Sequence, residues 1–161
     1  MIGNDVIDLE AAAIESNPFR PGYLDKIFND SEQLLIHGSE NPEKTIWILW
    51  SMKEAAYKIF NRSTGIRNFD PSGFSCEITA MSSSFAKGIV FYREKTYLCR
   101  SEIREKYIHT IALLDDSFDK VADVSVKDVR KVGHLPQLSV HSAFKTVSVS
   151  HHGSYTRAVA I

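Results

Sequence analysis

Glu54 and Lys58 stand four residues apart in a chain of 161 residues, a spacing that puts both side chains on one face of a helix. In water such a pair contributes about 0.2–0.5 kcal/mol, and an ordinary surface ion pair is one reading of it. The neighbours suggest another. Trp47, Trp50, Ala55 and Ile59 surround the pair, and acidic groups beside buried apolar surface are usually paired or hold a metal. A carboxylate that binds a hard cation, followed one turn later by an ammonium that meets phosphate oxygens, fits such a position. An oxygen-ligated cation needs further carboxylates from elsewhere in the chain. Asp5 and Asp8, in MIGNDVIDLE, are the acids to watch, and either also serves to cap the helix suggested by Glu10 to Ser16.

The element that must position Glu54 and Lys58 runs from Asn41 to Gly65. Asn41 caps it, Pro42 has no N–H to lose in the first turn, and Glu43 suits the positive end of the dipole. Ile46, Trp47, Leu49, Trp50, Met52, Ala55, Ala56, Ile59 and Phe60 recur at a helical period over so wide an arc that most of the helix is expected to be buried. Ser63, Thr64 and Gly65 stop it. Upstream, Met1 to Leu9 alternates as a short strand. Tyr23 to Phe28 and Ser31 to His37 read as short helices after the break NPFRPG, with Asp30-Ser31 and the following Glu32 and Gln33 as the cap of the second.

Beyond Gly65 the character becomes β. Phe74 to Ala80, Gly88 to Tyr92, Tyr97 to Arg100 and Tyr107 to Leu114 form an expected antiparallel meander, with Arg93-Glu94-Lys95 as a solvated hairpin tip. After a break at Asp115 to Lys120, Ser139 to Ser150 and Thr156 to Ile161 read as two last strands joined through His151, His152 and Gly153. With no repeat or linker, the expected fold class is α+β. A helical first half with one long buried helix packs on a mainly antiparallel sheet, in one domain spanning 1–161.

Composition narrows the function. Nineteen basic residues against twenty acidic ones give a formal charge of -1, which argues against a nucleic-acid binder. Cys76 and Cys99 are too few for a disulfide framework or a zinc site. The first residues carry acids where a signal peptide needs a basic and then apolar run, and no stretch approaches membrane-spanning length. A soluble, cytoplasmic protein with no membrane partner is expected.

Four pieces together resemble a known family: GNDVIDL near the start, WSMKEAAYK in the long helix, STGIR just after it and VSVSHHGSYTRAVAI at the end. They resemble the 4'-phosphopantetheinyl transferases, particularly the short, single-repeat holo-acyl-carrier-protein synthase type. Trp50, Lys53, Glu54, Ala55 and Lys58 fall where that family has W-x-x-K-E-A-x-x-K. The resemblance implies transfer of the phosphopantetheine arm of coenzyme A to a serine of an acyl or peptidyl carrier protein. It implies that Asp5 and Glu54 hold a Mg²⁺ on the CoA pyrophosphate and that Lys58 approaches the same group. Asp5, Glu54 or a metal-bound water is left to take the serine proton. Lys53, about 100° around the helix from Glu54, meets another phosphate or packs its stem. Thr64 and Gly65 resemble the loop that wraps the pantetheine arm, and Ser150 and His151 the Ser-His pair that lies against CoA. His152 has no counterpart and reads as a solvated turn histidine.

Two features depart from the family. LEAAAIES stands where short members carry basic residues that dock an acidic carrier helix, leaving Arg20 and Lys26 as the nearest substitutes, and the stretch from Phe74 to Lys131 is longer than in the shortest members. A single repeat further implies a homo-oligomer, a trimer by analogy, in which a neighbouring subunit completes the cleft. Two other classes compete: a non-catalytic CoA- or carrier-binding module, and a metal-dependent phosphohydrolase using the same acids.

Overall fold

Strand β1 (Ile2–Asp8) opens the chain in a computed structural model that describes residues 1–132, 135–140 and 143–161. All seven of its residues are buried, because it lies between two layers. Ile7 joins the main core on one face, while Ile2 packs with Val159 on the other. Asp8 ends the strand and caps helix α1 (Leu9–Glu15), accepting from the Glu10 and Ala11 backbone N–H groups at 3.0 and 3.1 Å. Of the two acids near the start, the cap is therefore Asp8.

Helix α2 (Tyr23–Ile27) and helix α3 (Asp30–Gly38) follow. The cap of α3 is Asn29 rather than Asp30-Ser31. Its side chain accepts from Glu32 N, and the Glu32 carboxylate accepts in return from Asn29 N at 2.9 Å. Helix α4 (Pro42–Thr64) has the sequence-predicted bounds, with Asn41 Oδ1 accepting from Lys44 N at 3.0 Å and Gly65 ending it at φ 72°. Thr45, Ile46, Trp47, Ile48, Leu49, Ser51, Met52, Lys53, Ala55, Ala56, Ile59 and Phe60 are all buried.

The meander forms from β2 (Ser75–Met81), β3 (Phe85–Tyr92), β4 (Lys95–Ile103) and β5 (Tyr107–Leu113); β3 and β4 extend beyond their sequence signals, β2 is shifted by one residue and β5 ends one residue earlier. With β1 it makes an antiparallel sheet in the order β1-β5-β4-β3-β2. Helix α4 covers one face, where Met52, Ala55, Ile59 and Phe60 meet Val90, Tyr97, Cys99 and Ile108 in one core. A second sheet has the order β6-β10-β9-β8-β7, from β6 (Ala122–Asp123), β7 (Val129–Val132), β8 (Leu135–Val140), β9 (Ala143–His152) and β10 (Tyr155–Ala160). Ser139 to Ser150, expected as one strand, is divided between β8 and β9, and residues 141–142 lie outside the described residues. The fold class is α+β with antiparallel sheets and a long buried helix. Among the described residues, no helix is long and apolar enough to cross a membrane.

Gly3 explains how closely β1 approaches α4. A Cβ built there would stand 2.0 Å from the Ala55 carbonyl oxygen, so only a residue without a side chain lets the strand lie against the helix backbone. Asp5, two residues on, shares that face. Ala55 adjoins Glu54, so the same contact brings the two carboxylates together.

Candidate active site

Asp5 sits where β1 crosses α4 and is 9% exposed. Lys58 reaches it from one turn beyond Glu54, with Nζ 3.4 Å from Asp5 Oδ1 and 2.6 Å from the Asn4 carbonyl oxygen. Glu54 and Lys58 do not pair with one another as their spacing suggested; Lys58 turns to β1 instead. Two of its three ammonium hydrogens are used there, leaving one for an anion. The second carboxylate oxygen, Asp5 Oδ2, and the Ser51 hydroxyl are both buried without a well-formed hydrogen bond, although Ser51 stands close enough to help lower the Asp5 pKa. A buried carboxylate oxygen left bare is costly.

The charges are correspondingly strained. Burial raises the pKa of Asp5, against the pull of the Lys58 ammonium. Burial first, and the Asp5 charge second, push Glu54 up to about 7, with Lys58 again opposing. Two crowded carboxylates, one with a bare oxygen, form a donor set that a hard divalent cation would relieve. Among the described residues no three His, Cys, Asp or Glu side chains gather to ligate a metal, so any such cation would take its other ligands from water or substrate.

A cleft of about 310 Å³ opens beside these acids, lined by Asp5, Glu54, Tyr23, Trp47, Trp50 and His151, among others. His151 comes from the end of β9, so the last part of the chain and the first meet in one cavity. His152 also lines the cleft. It is no free turn histidine: its Nδ1 accepts from Asp8 N at 3.0 Å, and its Nε2 lies 3.3 Å from Glu15 Oε2.

The remaining predicted site residues are placed elsewhere. Lys53 is fully buried, and its ammonium donates to Glu32 Oε2 at 2.7 Å, the Ile27 carbonyl at 2.7 Å and the Pro71 carbonyl at 3.0 Å. Those three bonds use every hydrogen it has, so it meets no phosphate. Ser150 is 4% exposed and its hydroxyl accepts from Asn4 Nδ2 at 3.0 Å, inside the protein rather than on the cleft. Thr64 and Gly65 close α4 about 15 Å along the axis from Glu54, where Thr64 Oγ1 donates to the Phe60 carbonyl and accepts from Ile66 N.

A family model of the 4'-phosphopantetheinyl transferase superfamily matches residues 1–112. The chain belongs to that superfamily. The match runs from β1 into β5 and so includes Asp5, Glu54 and Lys58. The second sheet of this superfamily member, with Ser150 and His151, lies beyond the matched residues. A comparison with curated proteins finds no significant sequence match. Sequence reasoning about this superfamily member missed Asn4, whose carbonyl holds Lys58, and the cleft aromatics Tyr23 and Trp47. Trp47 was placed beside the Glu54 and Lys58 pair as buried surface and not as a cleft wall; its place one and two turns before Ser51 and Glu54 on the helix was the available signal.

Proposed function

We propose that the protein transfers the 4'-phosphopantetheine group of coenzyme A to a serine of an acyl or peptidyl carrier protein, with Mg²⁺ as cofactor. The observation that carries this reading is the meeting of Asp5 and Glu54 on one cleft, with the Lys58 ammonium 3.4 Å from Asp5 Oδ1 and Asp5 Oδ2 left without a hydrogen bond. Asp5 and Glu54 would hold the cation. When bound, Mg²⁺ supplies neutralisation of the charge that builds on the diphosphate. The carrier serine oxygen forms a bond to the phosphorus that bears the pantetheine arm as its proton passes to the Asp5 or Glu54 carboxylate or to a water, the bond from that phosphorus to the bridging oxygen breaks, and 3',5'-adenosine bisphosphate leaves with the electron pair. Lys58, held by the Asn4 carbonyl and Asp5, keeps one N–H to stabilise the departing phosphate. His151, which also lines the cleft, offers a hydrogen bond to a CoA phosphate, and the lining rings of Tyr23, Trp47 and Trp50 help exclude water.

At about 310 Å³ the cleft is at the small end of ligand sites. A neighbouring copy in a homotrimer would extend it for the nucleotide and the arm, with Thr64 and Gly65 along its edge. The deciding experiment incubates the protein with CoA, Mg²⁺ and an apo-carrier protein and weighs the carrier by mass spectrometry. A phosphopantetheine increment is expected. Unchanged carrier with CoA breakdown would instead support hydrolysis, and unchanged carrier with intact CoA a binding module.

A further inference from the structure

We propose that Asn4 and Ser150 form a cross-strand staple that sets the separation between the Asp5 carboxylate and the His151 imidazole. It rests on the transferase reading above. The starting point is the free edge of β1. On its other edge this strand pairs with β5 along its whole length, yet the Asn4 backbone turns away from that ladder. Its N–H donates to Ser148 Oγ at 2.9 Å and its carbonyl accepts from Lys58 Nζ at 2.6 Å. The Asn4 side chain, fully buried, donates from Nδ2 to Ser150 Oγ at 3.0 Å and lies 3.3 Å from the Arg157 carbonyl and 3.2 Å from His109 Nε2. Further along, Asp8 N donates to His152 Nδ1. Ser148, Ser150 and His152 therefore present alternate residues of β9 to β1, one face of a strand.

The position of this bond gives it a consequence for the site. Asp5 follows Asn4 and His151 follows Ser150, and both of these neighbours line the cleft. An apolar seam between the sheets would bind as firmly while tolerating a slip, because apolar contact has no direction. Hydrogen bonds weaken steeply when misaligned, and a buried polar group that loses its partner is costly. A slip of one residue, about 3.3 Å, would break the staple and move His151 past Asp5. His109 completes the cluster as a neutral acceptor, since burial and the Arg157 charge hold its pKa down at about 4. Asn4 and Ser150 are positioning residues, acting on the ligand through Asp5 and His151.

The test is calorimetric titration of Mg²⁺–CoA into the full chain, wild type against Ser150→Ala, Asn4→Ala, the double variant and Ser150→Thr, with Tm measured for each. Ser150→Ala is expected to weaken binding about tenfold, the lower range for a partner one shell outside a metal ligand. Ser150→Thr, which keeps the hydroxyl, restores it. Adding Asn4→Ala to Ser150→Ala costs less than Asn4→Ala alone, because the two share one bond. A lowered Tm with unchanged affinity, or additive losses in the double variant, overturns the staple while leaving the transferase reading intact. A wild type that binds no Mg²⁺–CoA defeats that reading and the staple with it.

Discussion

Glu54 holds opposite positions in stability and function. Its carboxyl ionises near 4.5 in an unconstrained chain and near 7 in the folded one, so between those values the folded state carries the extra proton. Stability then falls as pH rises through that window. His109 works the other way: its imidazole drops from 6.5 to about 4 on folding, so stability rises with pH from about 4 to 6.5. These contributions offset each other over most of the range, and the difference between wild type and Glu54→Gln isolates the first. In metal-free buffer the variant should gain on wild type as pH climbs from 4.5 to 7, read as a widening gap in Tm. A gap independent of pH would remove the buried charge from Glu54. The same substitution should reduce Mg²⁺-dependent transfer by more than the roughly 10–100-fold typical of outer-shell partners. Lys58→Ala should lower turnover by about 10²–10³, the scale of one preorganised electrostatic donor. Turnover of that variant measured well below its Tm separates the effect from unfolding; a variant that merely unfolds sooner would return Lys58 to a structural role.

Helix α4 assigns its two lysines to opposite duties. Lys53 binds the helix to α3 through Glu32 and to the Pro71 segment through a carbonyl, with both charged side chains at 0–1% exposure. Lys53→Ala would leave the Glu32 carboxylate buried and unneutralised, at a cost of about 3–5 kcal/mol. That is measurable as a lower urea midpoint, whereas specific activity at low temperature should survive. A small midpoint shift would mean that water reaches Glu32. The contrast also marks what was legible in the sequence. Asn41, Pro42 and Gly65 set the helix ends through local chemistry, and aromatic and β-branched residues between turn-formers and charged breaks located β2 to β5. The identity of each partner was not local. Lys53 meets a carboxylate 21 residues upstream and Lys58 one 53 residues upstream, and a helical wheel gives the angle between them without saying what stands at each angle. For the same reason the cap of α3 shifted to Asn29, since Asn29, Asp30 and Ser31 all have capping side chains and only the chain path into the helix chooses among them.

At the scale of the molecule, the two sheets meet at β1 and bring the first and last segments to one cavity. Asp5, Glu54 and His151 line it within a single chain. Mixing the separately inactive Glu54→Gln and His151→Ala variants should therefore yield no more activity than their sum, even if the protein is a homotrimer; recovery of activity in the mixture would show that neighbouring chains exchange these residues. The division of Ser139 to Ser150 between β8 and β9 was hidden because nothing in that run breaks the β pattern, while Gly3 was visible within GNDVIDL but silent about its cause, the Ala55 carbonyl against it. The chain has two tryptophans, Trp47 and Trp50, and both stand on the cleft wall. Tryptophan emission from the unmodified protein therefore originates beside the acids and nowhere else, so the arrival of a nucleotide and the departure of a product can be followed as a change in brightness or colour, without a dye.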